Sequence, residues 1–124
     1  MTVSFDFDGV LSRPGWQVVA AYHLHEGDEV YVLTARCAEQ GDRVRQFATN
    51  LGVDADHVVF TCNRDKWEQI DPLAIDLHYD DNAEQVALIN EETGGTALDV
   101  SELDPARYLL EGLDRELDDL QENT

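Results

Sequence analysis

The chain alternates between short apolar runs and longer stretches in which apolar residues recur at helical spacing. One run, Val30-Tyr31-Val32-Leu33, is uninterrupted, as expected for a strand that is covered on both faces. The predicted strands span residues 2–8, 28–34, 57–61, 73–79 and, as a short fifth strand, 96–100. The predicted helices span residues 16–25, 38–51, 83–92 and about 104–121, with a short helix through Trp67 and Ile70.

Strands that alternate with helices predict an α/β fold. We expect a three-layer, Rossmann-like parallel sheet of four to five strands with helices on both faces. A chain of 124 residues is long enough for one core, so residues 1–124 are expected to form a single domain. The last predicted helix carries a leucine stripe, which either docks on the sheet or forms a dimer seam. A monomer and a homodimer therefore both remain open.

Polar side chains follow several predicted strands at the point where each strand ends. In parallel α/β sheets, ligands bind beyond the carboxyl ends of the strands. The residues expected to meet at this edge are Asp6, Asp8, Thr34, Lys66, Asp80 and Asp81.

Four carboxylates at one sheet edge repel one another unless a cation lies among them. Oxygen ligands favour a hard ion, and Mg²⁺ is the usual one when a phosphate completes its coordination. Lys66 is the only lysine in the chain, and its compact charge is suited to neutralising a phosphate or a charged nucleophile. The hydroxyl of Thr34 and the free N–H groups that follow it can bind phosphate oxygens.

These residues resemble the four ordered motifs of the haloacid dehalogenase (HAD) superfamily of phosphohydrolases. The matching segments are Asp6-Phe7-Asp8-Gly9-Val10-Leu11-Ser12, Leu33-Thr34-Ala35-Arg36, Lys66 and Tyr79-Asp80-Asp81-Asn82. The resemblance covers residues 2 to about 90. It implies a Rossmann-like sheet, Mg²⁺ and hydrolysis through an aspartyl-phosphate.

The resemblance also implies a role for each matching residue. Asp6 would be the nucleophile and a metal ligand. Asp8 would be the general acid and base, and its backbone carbonyl would contact the metal. Thr34 would hold the transferring phosphoryl group, and Lys66 would neutralise Asp6 and the phosphate. The remaining metal ligands would be Asp80 and Asp81, and which of the two binds directly stays open.

The gaps between the motifs are filled by predicted elements and leave no room for the cap domain of many relatives. We therefore expect an open site, which suits a large substrate or needs a partner chain to cover it. The candidates for substrate contact are Gly9, Arg13, Ala35 and Arg36. Trp16 is a further candidate, with a place in the core as the equal alternative.

The leading hypothesis is a Mg²⁺-dependent phosphomonoester hydrolase. Its substrate is expected to be a nucleotide or a phosphorylated nucleic-acid end, because a second motif with Arg36 and the lack of a cap resemble features of nucleotidases and polynucleotide phosphatase domains. The first alternative is a small-metabolite phosphatase whose site is closed by oligomerisation. The second is a non-catalytic HAD-like module that binds metal or phosphate.

The charge balance changes this picture in two ways. The chain has 27 acidic and 8 basic residues, a net charge of −19, so a generic basic groove for nucleic acid is missing. The acidic residues are spread along the whole chain, which favours adaptation to a salt-rich cytoplasm over a single acidic tail. On that hypothesis the melting temperature rises with KCl into the molar range, and a flat or falling response would contradict it.

The remaining sequence features concern the compartment. Cys37 and Cys62 form no metal-ligand or CxxC pattern and are predicted to be free thiols in a reducing cytoplasm. A signal pattern and an apolar run long enough to cross a bilayer are both missing, so a cytoplasmic protein without membrane contact is expected.

Overall fold

The computed structural model describes residues 1–112, which form a five-stranded parallel sheet with helices on both faces, confirming the predicted fold class. The strands are β1 Thr2–Asp6, β2 Glu29–Thr34, β3 Val58–Phe60, β4 Leu77–Asp80 and β5 Thr96–Asp99. The helices are α1 Pro14–His25, α2 Asp42–Leu51, α3 Trp67–Ile70, α4 Ala83–Glu92 and α5 Pro105–Arg107. A non-helical turn covers Phe7–Leu11, and shorter helical turns cover Ala38–Gln40, Ala55–His57 and Tyr108–Gly112.

The order of the strands in the sheet places a switch point between β1 and β4. The order is β3-β2-β1-β4-β5, so the chain moves outward from β1 to β3 and then returns to the other side of β1. Ser4 of β1 is paired with His78 of β4, and Phe5 is paired with Tyr79. The crevice beyond these two strands is where ligands bind in open α/β sheets.

Several predicted boundaries move because turns occupy residues that the apolar pattern assigned to strands and helices. The first strand ends at Asp6, not at residue 8, because the chain enters a turn in which Gly9 has a positive φ of 80°. The helix predicted from residue 38 begins only at Asp42, after a separate turn that ends at Gly41. The fourth strand begins at Leu77, because a turn with Ala74 at a φ of 53° precedes it.

The side chains of the sheet bury themselves against two different layers of helices. Helices α1, α2 and α5 cover one face, where Phe5, Trp16 and Tyr79 are fully buried. Helices α3 and α4 cover the other face, where Leu33 and Ile89 form a smaller apolar cluster. Trp16 is therefore a core residue, and its alternative role in substrate contact is wrong.

The C-terminal part of the described chain docks on the first of these faces. Asp104 caps the new helix by accepting a hydrogen bond from the backbone N–H of Ala106, as the Asp-Pro pattern predicted. Tyr108 is buried, and its hydroxyl lies 2.9 Å from the hydroxyl of Tyr79. Leu110 is 81% exposed. Residues 113–121 of the predicted helix, and with them the rest of the leucine stripe, lie outside the described residues.

The segments between the strands of residues 1–112 are filled by the helices and turns given above, and none of them forms a separate cap. In the same part of the chain, no helix has both the length and the apolar character that a membrane span requires.

Candidate active site

The candidate site is centred on a buried lysine between two carboxylates. Lys66 Nζ lies 2.7 Å from Asp6 Oδ1 and 2.8 Å from Asp80 Oδ2. Asp6 ends β1 and Asp80 ends β4, so the switch point of the sheet brings the two acids together. All three side chains are at most 10% exposed, so water screens their charges only weakly.

A third carboxylate completes the group. Oxygen atoms of Asp6, Asp80 and Asp81 lie within 4.8 Å of one another. Asp81 is exposed and packs over Gly9, where a Cβ atom would clash with its carboxylate. This donor set consists only of oxygen atoms and carries more negative charge than one ammonium group neutralises, so it fits a hard divalent cation.

Burial and the charges in this group shift the pKa of Asp6 upward. Burial is the largest cause, and the nearby charge of Asp80 adds to it. The two together outweigh Lys66 and raise the pKa of Asp6 to about 7. A pKa this high means that burial and the neighbouring acids disfavour the ionised form of Asp6.

The pKa of Asp80 is shifted in the opposite direction, below its ordinary value. Burial alone would raise its pKa, but the hydrogen bond from His78, together with the charge and hydrogen bond of Lys66, lowers it to about 2. His78 Nε2 lies 2.8 Å from Asp80 Oδ2, and its Nδ1 lies 2.7 Å from Ser4 Oγ. Burial is also the main reason why the pKa of His78 lies below its ordinary value.

The loop that carries Lys66 is held by the helix after β4. The backbone N–H of Lys66 donates to Gln85 Oε1 at 3.1 Å, and Gln85 Nε2 donates to Asp65 Oδ1 at 3.3 Å. Asn82 caps the same helix by accepting hydrogen bonds from the N–H groups of Glu84 and Gln85. The lysine is therefore positioned through α4.

Asp8 lies close to the cluster, but its carboxylate does not belong to it. Arg36 holds it in a two-pronged ion pair, with Nε donating to Oδ2 at 3.0 Å and Nη2 donating to Oδ1 at 2.7 Å. The guanidinium also lies 5.1 Å from the centre of the Phe7 ring. The side chain of Asp8 is 57% exposed and that of Arg36 is 38% exposed, so the pair contributes little to stability.

A cleft of about 290 Å³ opens over the cluster. Its lining residues are Asp6, Asp8, Ala35, Asn63, Arg64, Lys66, Asp80, Asn82 and Gln85. A larger hollow of about 520 Å³ lies against residues 102–112, and its lining contains none of these groups. Its cation, Arg107, is already paired with Glu111 at 3.0 Å. We therefore take the smaller cleft as the candidate site.

The other predicted site residues differ in how closely they approach this cleft. Thr34 ends β2 and is fully buried, and its Oγ1 accepts a hydrogen bond from the backbone N–H of Arg36 at 3.2 Å. Gly9 lies in the turn beneath Asp81. Arg13 is exposed at the start of α1 and does not line the cleft.

Cys37 and Cys62 form a disulfide, so the prediction of two free thiols is wrong. The reason is that the loops after β2 and β3 continue side by side beyond the strands. The backbone N–H of Cys62 donates to Arg36 O at 3.2 Å, and that of Asn63 donates to Ala35 O at 2.9 Å. Sequence spacing alone does not reveal this proximity.

Sequence reasoning missed four residues that now belong to the surroundings of the site. Asn63, Arg64 and Gln85 line the cleft, and His78 contacts Asp80. The alternation of β4 could have identified His78, because residues two apart on a strand share a face. The other three lie on loops or on a helix, where no comparable periodic signal exists.

Comparisons with known proteins add little to this geometry. No family model and no curated protein matches the chain. Among solved structures, the chain is similar to the hypothetical protein PH1952 from Pyrococcus horikoshii OT3, with 17% identity and a TM-score of 0.40. The match covers 82% of this chain and 42% of that protein, so the chain spans less than half of its length.

Proposed function

We propose that the chain is a HAD-type phosphomonoester hydrolase in which Asp6 attacks phosphorus and becomes an aspartyl-phosphate. The observation that carries this proposal is the position of Lys66 between Asp6 and Asp80, with Asp81 beside them at the open end of the sheet. Asp6, the proposed nucleophile, would then lie next to the positive charge that an anionic substrate requires.

The three clustered carboxylates Asp6, Asp80 and Asp81 would hold a divalent cation, for which we propose Mg²⁺. When bound, the cation would supply charge that offsets the repulsion between the nucleophile and the phosphate. Lys66 would act in the same direction from the buried side. Its contact with Asp6 Oδ1 at 2.7 Å favours the ionised form of that carboxylate, which nucleophilic attack would require.

Asp8 would move the protons of the reaction. It would donate a proton to the leaving oxygen and then accept one from the water that cleaves the aspartyl-phosphate. To do so it must leave Arg36, which is feasible because the pair is exposed and weak. An anionic substrate entering the cleft would compete with Asp8 for the guanidinium and so release the acid.

The rim of the cleft supports a substrate with a second anionic or polar part. Arg64 is exposed beside the cluster and forms no ion pair within residues 1–112. In a chain with so many carboxylates, a cation without a partner at a cleft is suited to binding an anion. We propose a nucleotide or the phosphorylated end of a polynucleotide as the substrate class.

The first experiment measures hydrolysis of an aryl phosphate with and without Mg²⁺, at low and molar KCl. We expect Asp6→Asn to lower kcat/KM by at least about a thousandfold, because it removes the nucleophile. The matched control is Asp56→Asn, an exposed acid in the Ala55–His57 turn, which should retain the wild-type rate. A wild type that is inert under all these conditions would refute the proposal that the chain is an enzyme.

The second experiment compares nucleotides, 3′- and 5′-phosphorylated oligonucleotides and small phosphorylated metabolites. We expect the highest kcat/KM on the nucleotide or oligonucleotide series, with Arg64→Ala raising KM for that series more than for an aryl phosphate. A preference for small metabolites, together with no effect of Arg64→Ala, would contradict the proposed substrate class.

A further inference from the structure

His78 is a buried residue that the proposed chemistry does not use. It lies on β4 two residues before Asp80, and its side chain is fully buried on the same face of the sheet. Ser4, its partner across β1, is equally buried. Ser4, His78 and Asp80 therefore form a line of polar groups that runs through the interior to the candidate metal site.

The contacts of this line fix which atom donates at each step. A carboxylate only accepts hydrogen bonds, so His78 Nε2 carries the proton that it shares with Asp80 Oδ2 at 2.8 Å. In the neutral ring Nδ1 is then an acceptor, and the hydroxyl of Ser4 donates to it at 2.7 Å. Both ring nitrogens are thus satisfied, as buried polar groups require.

These contacts leave one oxygen of Asp80 for other use. Its Oδ2 accepts from both His78 Nε2 and Lys66 Nζ, whereas Oδ1 accepts only the backbone N–H of Asn82, at 3.0 Å. A carboxylate oxygen has two lone pairs, so Oδ1 keeps one free. Without His78, Lys66 would be the only side chain among residues 1–112 that holds the rotation of this carboxylate.

We propose that His78, held in place by Ser4, is a positioning residue that fixes the rotation of Asp80 so that Oδ1 is presented to the divalent cation. The inference rests on the proposed function, because it concerns the cation of that site. Groups that hydrogen-bond to ligating carboxylates typically change metal affinity by about tenfold to a hundredfold when they are lost.

The chain offers a matched control on the opposite face of the sheet. His23 of α1 is also fully buried, and it bonds to Asp28 and Tyr79, neither of which belongs to the carboxylate cluster. Replacing either histidine with phenylalanine keeps a buried ring but removes two ring nitrogens and their hydrogen bonds. Loss of general stability would therefore affect both variants, whereas loss of positioning would affect only His78→Phe.

The test titrates Mn²⁺ into the full chain and measures its Kd by calorimetry, with folding checked by circular dichroism. We expect His78→Phe to weaken binding about tenfold to a hundredfold, and Ser4→Ala to weaken it less. His78→Gln places a donor where Nε2 was and should restore binding, whereas His78→Asn places one where Nδ1 was and should not. His23→Phe should bind as the wild type does.

Three results would overturn the inference. If His78→Phe and His78→Asn bind Mn²⁺ as tightly as the wild type, His78 does not position Asp80, although the proposed function still stands. If His23→Phe weakens binding as much as His78→Phe, the effect is general stability. If the wild type binds no Mn²⁺, the metal site of the proposed function fails as well. If His78→Phe does not fold, the inference is decided by comparing the Mn²⁺ affinities of His78→Gln and His78→Asn.

Discussion

The two fully buried histidines lie on opposite faces of the sheet and have different surroundings. His23 lies between Asp28 and the hydroxyl of Tyr79, and Asp28 in turn pairs with the terminal ammonium group of Met1 at 3.0 Å. His78 lies between Ser4 and an Asp80 that faces two further carboxylates. Burial is the main reason why the pKa of each ring is lowered.

This comparison shows that neither burial nor a displaced histidine pKa marks a functional site on its own. The network of His23 is electrostatically balanced, because Asp28 has the Met1 ammonium group as its partner. On the other face, three carboxylates share one ammonium group, and burial together with Asp80 raises the pKa of Asp6 to about 7. An excess of like charge, and not a buried histidine, is the feature that distinguishes the cluster of Asp6, Asp80 and Asp81 from the network of His23.

Of the substitutions on the two faces, loss of Lys66 is expected to have the largest effect on activity and stability. Lys66→Met leaves Asp6 and Asp80 without their shared cation, so kcat/KM should fall by about a thousandfold. The free energy of unfolding should fall by about 3 kcal/mol at pH 8. The loss should be smaller at pH 5, where Asp6 is protonated, and smaller with Mg²⁺ present.

The matching change on the other face is Tyr79→Phe, which removes one hydroxyl from the network of His23. We expect it to lower the free energy of unfolding by only about 1 kcal/mol and to leave kcat/KM unchanged. Urea unfolding and aryl phosphate hydrolysis measure both quantities. Equal losses of activity in the two variants would contradict the division between a site face and a structural face.

The disulfide beside the cleft should give the next largest effect. Cys37 and Cys62 are 25 residues apart in the sequence, and closing a loop of this size stabilises the native state by about 3 kcal/mol. A dithiol reductant should therefore lower the urea midpoint of the wild type without changing that of the Cys37→Ser, Cys62→Ser double variant. A wild type whose urea midpoint does not change with the reductant would contradict the expected contribution of the disulfide to stability.

The smallest expected effect is the pH dependence of stability that His23 contributes on the face covered by α1. The groups around His23 are Asp28, the Met1 ammonium group and the hydroxyl of Tyr79. Because the pKa of His23 is lowered from 6.5, the unfolded chain takes up a proton below that pH while the native chain does not. Its contribution to stability is therefore present above pH 6.5 and is lost as the pH falls.

His23→Phe should remove this dependence. The slope of the unfolding free energy below pH 6.5 should be less steep than that of the wild type by at most about 1.4 kcal/mol per pH unit. Urea titrations at several pH values measure it. An unchanged slope would show that His23 takes up its proton in the native state as readily as in the unfolded chain.

Much of this molecule could be predicted from the sequence, because the information is local. Alternating apolar runs indicated the five strands, and the carboxylates that end them meet where a parallel sheet requires. Asp6, Lys66 and Asp80 were predicted to lie together, and they do. The exact ends of the strands could not be predicted, because turns such as the one at Gly9 depend on backbone angles that apolar patterns do not encode.

What could not be predicted depends on contacts between distant segments. The Cys37–Cys62 bond requires the loops after β2 and β3 to continue as neighbours beyond the sheet. The pairing of Asp8 with Arg36 depends on side-chain rotation at an exposed turn. The sequence predicted Asp8 at the end of the first strand but did not indicate which side chain pairs with its carboxylate.

The central claim is that Asp6 carries the phosphoryl group during hydrolysis. The direct measurement quenches the full chain with acid during turnover of an aryl phosphate and identifies the modified peptide by mass spectrometry. We expect one phosphoryl group on Asp6, labile to hydroxylamine, that is absent in Asp6→Asn and accumulates in Asp8→Asn, which lacks the base for its hydrolysis. An active wild type that never carries this group, or carries it elsewhere than on Asp6, would contradict the account.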